Sequence, residues 1–166
     1  MEHNKADCLF LGISIAGFAA WSVSFILMPI EGMGFFPGML FWSGLMTGVF
    51  FQIVLEARRR ALFAKYNVKC KTMQKVRNGL LSFGSNKIAI ISDDILAVSM
   101  VATILALVLT RGYAYICYVM IAITVLSFCL HCVFNGRIYV YVKNRDRIRK
   151  ALEKKANTFE KGEGEK

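Results

Sequence analysis

Two carboxylates, Asp93 and Asp94, stand side by side ahead of an apolar run that carries Ser99 and Thr103. An acid at the mouth of a membrane span is where a proton or cation would be received, and the two hydroxyls would extend a polar face behind it. Neighbouring helix residues point about 100° apart, however, so the two acids do not form a paired acid/base site. Helix capping is the simpler role: Ser92 or Asp93 would cap the helix, and Asp94 in its first turn would suit the positive end of the dipole.

The second candidate is "CLHC", which holds Cys129, His131 and Cys132. A metal needs ligands that converge. On a helix Cys129 and Cys132 share a face while His131 points away, so these thiols are expected to be small apolar fillers. The other cysteines are Cys8, Cys70 and Cys117, and the odd total of five argues against a disulfide framework. No phosphate loop, zinc-protease signature or nucleophile elbow appears in the sequence. The expectation is a noncatalytic chain that uses no cofactor or metal.

Uncharged runs are the elements that would carry these residues. Of 166 residues, 56% are hydrophobic, and the mean hydropathy is +0.49. The apolar residues come in runs rather than in the stripes of a water-soluble helix. Cys8–Met28 and Phe35–Leu55 are 21-residue runs without charge, enough at about 1.5 Å per residue to cross roughly 30 Å of hydrocarbon. Ala114–Phe134 has the same length, whereas Ile95–Thr110 has only 16 residues. The last run reaches an adequate length if Ile88–Ile91 continue it, either as a short interfacial helix over 80–92 or as part of the span. The expected fold is therefore all-α and integral to the membrane, with four transmembrane helices as two antiparallel hairpins. The membrane unit covers 1–157, including a basic connector at 57–87 and a helical extension at 135–157, and 158–166 form a disordered tail.

Charge sets the orientation. The connector 57–87 holds nine Lys or Arg and no acid, and 135–166 carries ten against five acids. Between the first two runs the only charge is Glu31, and between the last two it is Arg111. Positive charge stays on the cytoplasmic side, which puts both termini inside and predicts a multi-pass protein of the cell membrane. Arg58, Arg59 and Arg60 follow the second run, and Arg145, Arg147 and Arg149 follow the fourth. Both clusters are expected to meet anionic lipid or an acidic partner. Nucleic acid is not expected, because no recognition motif accompanies the charge.

Small residues suggest where helices touch. Gly44 and Gly48 have the spacing that admits close contact, and Gly12, Ala16 and Ala20 give the first run a small-residue face. Gln52, Ser43, Thr47, Thr124 and Ser127 scatter polarity through the spans without a dense channel face. Together these features predict a membrane subunit, assembly factor or regulator that docks to another membrane protein or to itself. The alternative is a small oligomeric cation transporter or channel led by Asp93 and Asp94.

Overall fold

The computed structural model describes residues 2–66, 82–109 and 114–163. The described residues form five helices: α1 Glu2–Leu27, α2 Phe36–Lys65, α3 Lys87–Leu109, α4 Ala114–Phe134 and α5 Arg137–Glu163. Four apolar helical stretches are long enough to cross a bilayer, and the chain is a multi-pass membrane protein. Most of the connector (67–81) and the second turn (110–113) lie outside the described residues.

The helices α1, α2 and α3 are longer than their uncharged runs, whereas α4 matches its run residue for residue; where charged helix formers follow or precede a run, they extend the backbone into water. Leu55 to Lys65 is rich in Ala, Leu, Arg and Lys, so α2 continues well past the apolar stretch. The 26 residues of α1 begin ahead of Cys8 and include Asp7. Asn86 caps α3, with Oδ1 accepting from the amides of Ile88 and Ala89 at 3.1 Å each. This corrects the capping expected of Ser92 or Asp93, both of which lie in the helix interior. With 23 residues, α3 is a full span that includes Ile88–Ile91. The helix also covers much of the expected disordered tail, since α5 runs to Glu163; Glu160, Lys161 and Glu163 favour helix.

Helix packing forms a row. α1 pairs with α2 and α3 pairs with α4, and the two hairpins meet through α1 and α4. The order across the row is α2, α1, α4, α3, with α5 laid against α1 and α2. Only 17–28% of each span's most apolar window is buried, which is physically permissible because lipid tails solvate Leu and Ile as well as a protein core does. Burial concentrates where the chain leaves lipid. Leu11, Leu55, Phe63, Val133, Tyr141, Val142, Ile148 and Leu152 form the core cluster, at the end of the row where α5 packs.

The α1–α2 contact is backbone against backbone. A Cβ on Gly17 would lie 2.6 Å from the Gly48 amide nitrogen, and one on Gly44 would lie 2.5 Å from that of Trp21. Ser14 Oγ donates to the Gly48 carbonyl at 2.8 Å and accepts from Gln52 Nε2 at 2.9 Å. Gly17, rather than Gly12, supplies the small residue on α1. Gly12 has nothing within 4 Å of a would-be Cβ, and both Gly12 and Ala16 are exposed.

Overpacking at this seam should be selective. Gly44→Ile is expected to lower the stability of the detergent-solubilised chain by about 1–3 kcal/mol, with Gly12→Ile within about 0.5 kcal/mol of wild type. Thermal unfolding of the two variants checks this, and equal losses would contradict the assignment of the seam.

Candidate functional site

The charged end of the row holds two polar centres. The first is built on Asp7, which is fully buried near the start of α1. Its Oδ1 accepts from Arg58 Nε of α2 at 2.5 Å, and its Oδ2 lies 2.8 Å from Arg145 Nη1 of α5. Arg58 sits over the Phe10 ring and Arg145 over the ring of buried Tyr141. One carboxylate thus neutralises cations from two other helices. A buried charge is tolerable when it is paired in this way and costly when it is alone.

Further carboxylates extend the layer. Glu56 takes a two-pronged contact from Arg59 at 2.8 Å on each oxygen, Arg60 Nε at 2.9 Å and Arg137 at 3.3 Å. Glu153 accepts from Tyr66 Oη at 2.9 Å and pairs with Arg149 at 3.1 Å. The hydrogen bond to Glu153 raises the Tyr66 pKa above its ordinary value. Five of the six arginines singled out from the sequence therefore have carboxylate partners within the chain. The sixth, Arg147, is exposed.

The second centre joins α3 to the far end of α4. Asp93 Oδ1 lies 2.6 Å from His131 Nδ1 and accepts from Asn135 Nδ2 at 2.7 Å, while Oδ2 accepts from the Gly84 amide at 2.7 Å. An ionised carboxylate only accepts, so with Asp93 in that form the contact places a proton on Nδ1. The segment 82–86 is strapped over this pair. Ser85 N donates to Asn135 Oδ1 at 3.2 Å, and Asn86 Nδ2 to the Phe134 carbonyl at 2.9 Å. The Phe83 ring lies 4.7 Å from that of His131. Gly84 turns the strap with φ +62°, a conformation that favours glycine.

Of the four residues of the expected cation path, Asp93, Ser99 and Thr103 lie on the side of α3 that meets α4. Asp94 is exposed. Ser99 Oγ donates to its own helix at the Leu96 carbonyl, 2.9 Å away. Thr103 and Thr124 hydroxyls lie 2.8 Å apart and reach the Met120 and Ser99 carbonyls at 3.1 and 3.2 Å. These hydroxyls tie α3 to α4. Ser127 likewise bonds its own helix, at the Ile123 carbonyl.

Asp7, His131, Asn135, Asn86 and Gly17 were not recognised from the sequence as members of these contacts. His131 and Asn135 stand four apart at the end of a span, a spacing that puts both on one face, and that signal was available. For Asp7 the local sequence offered only a lone acid. Among the described residues no three metal-ligating side chains converge.

Compared with protein-family models, curated proteins and solved structures, the chain matches none.

Removing Asp7 strands two arginines. Asp7→Ala is expected to cost about 2–3 kcal/mol, below the ~3–5 kcal/mol of a fully buried pair because solvent reaches Arg58. It should also speed tryptic cleavage within α5. Adding Arg145→Leu should restore part of the loss. Unfolding free energies and cleavage rates of the three proteins check this, and a loss unchanged by the second substitution would contradict the shared pairing.

Proposed function

We propose that the chain is a noncatalytic polytopic subunit, assembly factor or regulator of another membrane protein, and that α3 is the helix it offers to its partner. One observation carries the proposal: among the described residues α3 packs against α4 and has no comparable contact with another helix. Its outer face, with Ile91, Ile95, Val98, Val101, Leu105 and Val108, is exposed. The other outer helix, α2, is held by both α1 and α5. A second copy of the chain and a different membrane protein are both suitable occupants, because intramembrane association rests on packing and a few polar contacts rather than on a hydrophobic driving force.

The transport alternative has less support. Its polar face would need Asp93, Asp94, Ser99 and Thr103 in line, whereas Asp93 and Thr103 bond α4 and the strap, the Ser99 hydroxyl bonds its own helix and Asp94 is exposed. Both termini and the basic connector are assigned to the cytoplasmic side of the cell membrane on the distribution of Lys and Arg. Anionic lipid suits Arg60 and Arg137, which follow spans directly and remain solvent-accessible beside Glu56.

Orientation is tested by thiol labelling of a cysteine-free background in intact cells. A membrane-impermeant reagent is expected to label Gly32→Cys and to spare Gln74→Cys; the reverse pattern would overturn the assignment. Docking is tested by photocrosslinking from Val98 and Leu105 in native membranes. Discrete adducts of one size are expected from these positions and none from Gly12. A monomer with no specific neighbour would overturn the proposal.

A further inference from the structure

The basic residues of α5 divide into two sets by helical phase. Arg145 faces inward with Tyr141, Ile148 and Leu152, all packed against α1 and α2 or paired with Asp7. Arg147, Lys150 and Lys154 recur at spacings of three and four on the side opposite Ile148 and Leu152, and all three are exposed. They follow the Asn144 kink, where φ is −114° and ψ is 17°, so the helix carrying them is regular. Asp146 and the Arg149–Glu153 pair flank the stripe. The inward set stabilises the fold; the outward set makes no contribution to the buried core.

Height decides what the stripe can meet. The 30 residues of α2 span about 45 Å, some 15 Å more than a hydrocarbon core of roughly 30 Å. Tyr66 follows the last residue of α2 and bonds Glu153, which puts Lys150 and Lys154 at the level of that overhang. Headgroups occupy only about 5–7 Å beyond the hydrocarbon on each side. The distal end of the stripe, at Lys154, thus stands roughly one Debye length, about 8 Å at physiological salt, past the lipid phosphates, with Arg147 about 10 Å nearer the bilayer. At the distal end lipid attraction is largely screened.

We infer that the outward face of α5, carried by Arg147, Lys150 and Lys154, docks an acidic segment of a protein partner rather than the bilayer surface. The inference deepens the subunit proposal and rests on it, adding a polar contact outside the membrane to the apolar one on α3. Charge complementarity sets the partner's chemistry: carboxylates of Asp or Glu spaced to meet three cations along about two helical turns.

The test uses the full chain in phosphatidylcholine nanodiscs at physiological salt, with a fluorescent poly-glutamate peptide as the probe. Replacing the stripe (Arg147→Gln/Lys150→Gln/Lys154→Gln) is expected to weaken peptide binding about tenfold or more. Lys69→Gln/Lys71→Gln/Lys75→Gln removes the same charge from the connector and is expected to change it less than about threefold. An equal loss in both variants, or no binding by the wild-type chain, overturns the inference. A second arm reads the lipid possibility through Lys150→Cys in a cysteine-free background. Its reaction with a water-soluble thiol reagent is expected to be equally fast in neutral discs and in discs containing phosphatidylserine; protection by phosphatidylserine would assign the stripe to headgroups and overturn it. Failure of the α3 crosslinks bears on the subunit proposal and leaves both of these readouts standing.

Discussion

A single buried carboxylate, Asp7, holds three helices at the end where the chain leaves the membrane. It anchors α1 to Arg58 of α2 and Arg145 of α5. Without a shared anion, two guanidinium groups would face each other in a poorly solvated layer, and like charges at close range repel strongly there. With it, the apolar face of α5 can settle on Leu55 and Phe63. The core of this protein therefore lies at its polar end. Lipid removes the incentive to bury side chains in the middle of the spans, and water restores it once α2 and α5 emerge.

The two hairpins close by different chemistry. In α1–α2, glycine lets backbones meet, and Ser14 with Gln52 adds a polar clasp at the Gly48 carbonyl. In α3–α4, hydroxyls at Thr103 and Thr124 bridge the helices, and the Asp93–His131–Asn135 group closes the end. Polar groups in hydrocarbon seek partners because unpaired ones are expensive. Much of the polarity of these spans is accordingly turned inward between paired helices. What the row leaves outward is apolar on α2 and α3 and basic on α5; contacts are proposed for the last two.

Much of the architecture follows from composition alone. Uncharged runs of about 20 residues demand a solvent without water, and a helix is the only open-chain structure that satisfies its own backbone there. That logic applied to Cys8–Met28, Phe35–Leu55 and Ala114–Phe134 without help from tertiary contacts. It was ambiguous for α3, whose first turns mix Lys87, Ser92, Asp93 and Asp94 with isoleucine. A hydropathy pattern does not reveal that Asp93 will find His131, a partner 38 residues away. Nor does a small-residue pattern choose among Gly12, Ala16 and Gly17, since each could front a close contact until the rotation of α1 is known.

Local sequence by itself determined the number of spans, the antiparallel pairing imposed by short turns, and the helical reach of α2 into water, because each depends on segment length, charge and propensity within one stretch of chain. Tertiary structure alone decided the order of helices in the row, the partners of the arginines and the use of His131. Those outcomes depend on which faces meet, and a paired charge looks the same in sequence as a free one. Arg145 and Arg147 illustrate the difference. Two positions apart and alike in chemistry, they lie roughly 160° apart by helical phase, and packing sends one inward to Asp7 while the other faces solvent.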